Sequence, residues 1–456
     1  MSSSENTTQG SGCPAHLEAM ALGDMSLTDP VIQAHPQAFY TKLRNEDPVH
    51  YDEKLGMWLV SRYDDIVTLL RDPKTFSDKQ GYEAQYASGF FEEFKQILIE
   101  QGGGFFPDVI KSDPPEHTRI RKLMDGAFSA HRVKTLEPVI TRIIADLVDQ
   151  MAEKADRGTV IDGVKDFAIP LTIAVICEQL GINQYDGSKI SEWSEAITAQ
   201  IGRMQNREDM VKNALKVCEL QNFIIEQMRD REATSREDMI SDLVHARTED
   251  GGKLEFGEAV SLVRALIIAG NDTTATAIGN LLFILATQPQ VAHQLYENVE
   301  DERFLTRFVE ELLRFAPPVR GLAKMATCDT ELGGVKLPKG AHMLVLYGSG
   351  NDDESHFNCP RTFDVTRGNT GTHVAFGVGI HRCIGASLAR MEIKVAAREL
   401  IKRVSDITLA IPAEDVAYQK TVATHSISSL PITLKKRPAV NQTAETSGAT
   451  SAPVVS

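Results

Sequence analysis

Apolar residues along most of this chain recur every three or four positions, the spacing that gives a helix one buried stripe. That spacing predicts helices over Pro36–Asn45, Pro115–Phe128, His131–Ala155, Phe167–Leu180, Lys189–Gln200, Glu208–Arg231 and Arg236–Ala246. The longest stripe runs from Phe256 to Thr287, a helix about 48 Å long at the usual rise per residue. Phe304–Phe315 is a further helix, stopped by Pro317 and Pro318, and Ile384–Val404 is the last. Alternating positions instead predict a hairpin, His50–Tyr51 and Met57–Val60, around Lys54–Gly56; Ser61 then caps a helix through Leu70. Short strands fill Leu322–Tyr347, and Ile407–Leu409 and Pro431–Leu434 close the pattern. Ser77–Asp113 shows no sustained stripe; it reads as a long functional loop carrying Phe90, Phe91, Phe94, Phe105 and Phe106. The result is an α-rich chain with segregated β-structure, an α+β fold. Polar, Ser- and Thr-rich stretches at 1–29 and 437–456 read as flexible tails around one domain, 30–436.

Composition narrows the function. The net charge of −15 over 456 residues argues against nucleic acid or an anionic membrane surface as main partner. The most apolar run, Phe167–Ile182, is short and interrupted by Pro170 and Glu178, so no membrane anchor is expected. No secretory signal opens the chain, and the expected location is the cytoplasm. Six cysteines contain no C-x-x-C pair, which removes zinc-ribbon and iron–sulfur spacings. No G-x-G-x-x-G dinucleotide fingerprint is present either.

One cysteine stands apart. Cys383 lies between Gly377, Gly379 and Gly385, just before a helical stripe, with His381 and Arg382 beside it. Glycines allow a tight turn and close approach to a flat partner. A helix start and neighbouring cations stabilise a thiolate. A site needing a single sulfur is met by haem iron with an axial thiolate. Phe376–Gly385 matches F-x-x-G-x-x-x-C-x-G throughout, and on this stretch the chain resembles the cytochrome P-450 monooxygenases of the soluble bacterial type. The resemblance implies the fold of that family, a long central helix and small sheets around buried haem b (iron protoporphyrin IX). Cys383 would be its axial ligand, with Phe376, Gly377, His381 and Gly385 against the cofactor.

The middle of the long helix reads Ala269-Gly270-Asn271-Asp272-Thr273-Thr274. Each residue after Ala269 is a mediocre or poor helix former, and a packing notch explains them as well as a local defect in which Thr273 bonds the Ala269 carbonyl. The segment resembles the family's A-G-x-D-T-T, which implies that Thr273 hydrogen-bonds bound oxygen and Asp272 feeds protons. Glu311 and Arg314 are spaced as a helix ion pair. They are similar to the family's buried E-x-x-R, whose third partner is uncertain because Thr362 stands where an arginine is common and Arg361 is one place early. His117 and Arg121 share one helix face after Asp113-Pro114-Pro115. Resemblance implies that they hold the haem propionates, with Lys324, in place of a usual arginine, and His381.

The same resemblance places Phe90, Phe91, Phe105, Phe106, Leu266, Ile267, Gly270, Val319, Leu322 and Val422 around the substrate. An apolar small molecule is implied: terpenoid, steroid, fatty acid or alkylaromatic. Electrons would come from a ferredoxin with a ferredoxin reductase and NAD(P)H, docking on Arg121, Lys122, Arg382, Arg390 and Lys394. The expected state is a monomer using O2. A peroxide-driven enzyme of the same fold and a non-catalytic haem sensor are the alternatives.

Overall fold

The structure, a computed structural model, describes residues 15–86, 90–126, 128–201, 206–248 and 251–437. Helices α1 (Ala15–Ala19), α2 (Pro30–Ala34) and α3 (Gln37–Glu46) lead into strands β1 (Val49–Asp52) and β2 (Met57–Val60). Helix α4 (Tyr63–Arg71), strand β3 (Phe76–Ser77) and helices α5 (Asp78–Tyr86) and α6 (Phe91–Gln101) follow. The middle is helical: α7 (Glu116–Met124), α8 (Ala130–Asp156), then the short strand β4 (Ile161–Asp162), α9 (Ile169–Leu180) and α10 (Gly187–Ile201). Next come α11 (Arg207–Ala233), α12 (Met239–His245), α13 (Phe256–Thr287), α14 (Pro289–Glu297) and α15 (Glu302–Phe315). Strands β5 (Leu322–Ala326), β6 (Thr330–Leu332), β7 (Val335–Leu337) and β8 (His342–Val345) precede the single turn α16 (Tyr347–Gly350). Helix α17 (Ala386–Arg403) and strands β9 (Val404–Leu409), β10 (Ala417–Tyr418), β11 (Ile427–Ser429) and β12 (Pro431–Lys436) complete an α+β fold.

The stripe pattern sets these bounds where caps agree with it. α13 begins and ends as its periodicity predicts, because Glu255 and Glu258 form a reciprocal capping box at its start. α9 stops at Gly181, which takes the left-handed conformation that terminates helices.

Four expectations change. Ser61 does not cap α4; Arg62 precedes the helix, and the Ser61 hydroxyl donates to the Pro48 carbonyl instead. The predicted loop at 77–113 carries α5 and α6, since Phe91, Phe94 and Leu98 make a short stripe that packs under α11. The tail expected over 1–29 does not hold from residue 15 on, where Leu17, Leu22, Met25 and Leu27 are buried against α3, and residues 1–14 lie outside the described residues. Residues 438–456 lie outside the described residues. α14, whose stripe is only nine residues long, had no counterpart in the pattern.

The main sheet has the order β1-β2-β8-β5-β3. β2 and β8 run parallel, with Leu59 opposite Leu344, and β5 is antiparallel to β8, which sets Lys324 opposite Met343. A smaller sheet has the order β4-β12-β9. Two apolar clusters form the core. One joins α8, α15, α17 and the second half of α13, through Ile144, Ile278, Leu281, Leu312 and Leu400. The other joins α7, α9, α11, α12 and the first half of α13, through Leu220, Ile224, Val260 and Val263. Each such fully buried side chain contributes roughly 1.5–3 kcal/mol. The site opens where the two clusters meet, along Leu266–Ala277. No helix among the described residues is long and apolar enough to cross a membrane.

Candidate active site

The chain approaches Cys383 through a turn fixed by backbone geometry. Gly377 and Gly379 both have positive φ, 64° and 76°. A Cβ on Gly379 would lie 2.5 Å from the Leu70 carbonyl oxygen, so only glycine fits there. The Cys383 N–H donates to the Phe376 carbonyl at 2.9 Å, closing the turn. Gly385 then starts α17. The Cys383 sulfur sits deep in the protein but is exposed to a cavity of about 330 Å3. Burial raises the pKa of its thiol; the Gly385 N–H, Arg121, Arg390 and Lys111 oppose that rise. Arg390 stacks over the Phe376 ring at 4.4 Å and pairs with Glu310. Burial alone would raise Glu310, but His373 and Arg390 outweigh it and hold the carboxyl at about 2.

Behind this turn lies the Glu311–Arg314 pair, 0% and 1% exposed at the side chain. Two bonds of 2.8 Å join them. The Asp364 N–H donates to Glu311 at 2.9 Å, and Arg314 reaches the Asn351 carbonyl at 3.0 Å. The third partner is Arg367, with its Nε 3.5 Å from Glu311. Arg361 turns instead to Asp352. This network ties α15 to the segment leading into the cysteine turn.

One edge of the cavity is cationic. His117, Arg121, Lys324 and His381 all line it. The two histidine rings lie 4.2 Å apart between centroids. Burial lowers the pKa of both, His381 to about 3. Nδ1 of His117 is buried with no hydrogen-bond partner, whereas Nε2 of His381 lies 3.0 Å from the Asp78 carboxylate. Lys324 is held by Asp78. Arg121 donates to the Arg382 carbonyl at 2.9 Å.

The opposite wall is α13, which runs unbroken through Ala269–Thr274. The notch therefore consists of small side chains and a hydroxyl that bonds its own helix: Thr273 donates to the Ala269 carbonyl at 2.7 Å. Gly270 also lets α9 approach, since a Cβ there would meet Ile176 at 3.3 Å. Thr273 and Gly270 face the cavity of Cys383. Asp272 faces away, into an outer cleft of about 1380 Å3 between α9, α10, α13 and the β10–β11 hairpin. The Thr198 hydroxyl on α10 donates to its carboxylate at 2.5 Å. Burial pushes the Asp272 pKa up to about 6; the Thr198 bond opposes this and the charge of Glu195 adds to it. Asn271 bridges to Thr172 and Ser194, and Thr276 bonds Ser426 on the hairpin.

Of the expected substrate-lining residues, Leu266, Gly270, Val319 and Leu322 line the Cys383 cavity. Ile267 points into the core between α9 and α11. Phe90, Phe91 and Phe105 pack under α6 and α11, Phe106 packs against Gly257, and Val422 packs beside α3. These five and Ile267 do not line the cavity; Phe90, Phe91 and Phe105 are absorbed into a separate core between α6 and α11.

A profile of the cytochrome P450 family matches residues 33–405. The chain belongs to the cytochrome P450 family. It is 34% identical to 6-deoxyerythronolide B hydroxylase of Saccharopolyspora erythraea, over 87% of this chain and 95% of that protein. It is 32% identical to the polyketide biosynthesis cytochrome P450 PksS of Bacillus subtilis, over 88% and 96%. Among solved structures, cytochrome P450 CREJ in complex with (4-ethylphenyl) dihydrogen phosphate superposes with a TM-score of 0.82 at 29% identity, covering 91% of this chain and all of that one. A cytochrome P450 carries haem with a cysteine thiolate as axial ligand, and Cys383 is the one cysteine that lines the cavity among the described residues. The cavity fits that group: a thiol on one wall, a small-residue notch on the other, and an unpartnered buried imidazole nitrogen of His117 at a cationic edge.

Several site residues had no sequence signal. Arg367 lies outside any spacing rule. Thr198 is one of many hydroxyls on α10. Asp78 directly follows β3, in the segment expected to be a loop. Glu392 of α17 also lines the cavity; burial raises its pKa well above the usual carboxyl value, and one of its oxygens has no partner.

Proposed function

We propose that this cytochrome P450 inserts one atom of O2 into a C–H bond of an apolar small molecule, drawing electrons from a ferredoxin. The balance is R–H, O2, two electrons and two protons giving R–OH and water. The observation that carries the reading is the placement of Asp272 and Thr273. They are consecutive, yet Asp272 opens to the outer cleft and Thr273 to the cavity of Cys383. One acid and one alcohol thus span the wall between solvent and the reacting space. A haem sensor has no need of that arrangement.

When bound, haem would supply the oxygen activation, with the Cys383 thiolate as the ligand that holds its iron. The chain's own residues do the rest. His117, Arg121, Lys324 and His381 would hold the propionates. Asp272 takes protons from the cleft, near the pH where its carboxyl is half loaded. Thr273 places a hydroxyl where the reacting oxygen binds. Glu311, Arg314 and Arg367 fix the segment that carries the cysteine turn.

Leu266, Val319, Leu322 and Gly270 make the substrate wall apolar. That supports a terpenoid, steroid, fatty acid or alkylaromatic substrate, and the names of the relatives add polyketides to these classes. Arg121 and Arg382 meet on the cysteine side of an acidic protein, with Lys122 next in the chain, and this basic area suits an acidic ferredoxin although Asp125 pairs with Arg121. Arg390 and Lys394 contribute less, since Glu310 and Glu302 pair with them. The test is turnover with ferredoxin, ferredoxin reductase and NAD(P)H, on compounds first chosen by spectral shifts on binding. Hydroxylated product in that system supports the reading. Product from peroxide alone, with none from the ferredoxin chain, would replace it with a peroxide-driven enzyme.

A further inference from the structure

The cationic edge of the cavity contains a carboxylate that the roles above do not use. Asp78 begins α5, directly after β3 pairs with β5. α5 lies hard against β5 because residue 81 is glycine. A Cβ there would sit 2.6–2.8 Å from the backbone of Lys324. The start of the helix is capped from elsewhere. Asp113 accepts from the Asp78 N–H at 3.1 Å and from the Ser77 hydroxyl at 2.5 Å. The Asp78 side chain is therefore not needed at its own helix end and turns inward. It meets the Lys324 ammonium, and the His381 Nε2 at 3.0 Å. Both members of the Asp78–Lys324 pair are buried, 4% and 3% exposed at the side chain.

This is an unusual place for a carboxylate. Lys324 and His381 are two of the four groups that the haem propionates would meet. A lysine is a point cation without the two-pronged fork of arginine, so its charge must be shared between Asp78 and a propionate. Negative charge beside a redox centre favours its oxidised state, and negative charge beside an anion weakens that anion's binding. At a buried site neither effect is fully screened by salt.

We propose that Asp78 sets the charge of the haem-propionate cradle, lowering the reduction potential of the iron and loosening the cofactor by competing for Lys324 and His381. It is a positioning residue that acts through those two side chains and has no contact with substrate. The proposal rests on the propionates lying at this edge.

Two measurements that do not depend on turnover test it: the reduction potential by spectroelectrochemistry, and the rate of haem transfer to excess apomyoglobin. Asp78→Asn keeps the shape and removes the charge. Its potential should move upward and haem transfer should slow by roughly threefold to tenfold, with the thiolate-type carbon monoxide spectrum intact. Lys324→Met should do the opposite, and the double variant should fall between the two singles. A potential unmoved or lowered in Asp78→Asn, or faster haem loss from it, would overturn the proposal, as would an effect of Asp78→Asn as large in the Lys324→Met background as in the wild type. Should Asp78→Asn fail to fold, Asp78→Ser carries the same expectations. Haem transfer unchanged in Lys324→Met would place the propionates elsewhere, and the proposal would fall with the cradle.

Discussion

The two walls of the Cys383 cavity are built by different means. The cysteine side is a backbone device: two positive-φ glycines, one N–H to carbonyl bond and a helix start place the sulfur. The α13 side is a side-chain device. Its helix is regular, and what distinguishes it are hydroxyls and carboxamides shared with α9, α10 and the β10–β11 hairpin. A backbone device tolerates almost no substitution but is written in a few adjacent residues. A side-chain device is assembled from distant segments, tolerates partial loss, and responds to pH. The thiolate has to be fixed, whereas the proposed proton route has to load and unload.

The comparison breaks first at the sulfur. Cys383→Ala removes the axial ligand, so the thiolate-type Soret band of the reduced carbon monoxide complex should vanish altogether while far-UV circular dichroism remains helical. A second break tests the backbone device without touching chemistry. Gly379→Ala forces a positive φ on alanine and drives a methyl into the Leu70 carbonyl. It should cost about 1–3 kcal/mol in urea unfolding from backbone strain, and more from that contact. The reduced carbon monoxide spectrum should become mixed between thiolate and thiol forms.

A smaller effect sharpens the α13 side. Burial holds the Asp272 carboxyl at about 6, above its ordinary 3.8. The folded state therefore binds the proton more tightly than the unfolded chain, and Asp272 weakens the fold as pH rises from about 4 through about 6. Allowing for solvent at the cleft, the penalty above pH 6 is on the order of 2 kcal/mol. Asp272→Asn removes it. The variant should match the wild type in stability near pH 4 and exceed it near pH 8, while its product formation falls. Equal stability differences at both pH values would contradict the burial of this acid.

The same contrast explains what could be read from the chain. The cysteine turn, Thr273 and its Ala269 bond, and the bounds of α13 were legible because each depends on residues a few positions apart. Lys324 was placed at the cavity edge by the family resemblance alone, and the pairing of β5 with β8 is what holds it there. The third partner of Glu311 was not legible: Arg367 reaches it only after the segment following α16 folds back on α15. The expected phenylalanine lining failed for a related reason. α6 turns Phe91 and Phe94 toward α11, and no local pattern tells an apolar side chain which of two apolar neighbours it will meet. Thr198 and Asp78 are the same case in polar form: their partners lie on other elements.

The claim that consecutive residues of α13 carry protons from the outer cleft to the reacting oxygen is tested most directly by Thr273→Ala. The quantity is coupling, product formed per NAD(P)H consumed, in the ferredoxin-driven system. Its spectrum should keep the thiolate band and its NAD(P)H consumption should continue. Coupling should drop by roughly tenfold or more, the loss expected when a proton-transfer group is removed, with the missing electrons recovered as hydrogen peroxide. Coupling equal to wild type, with haem intact, would contradict the account.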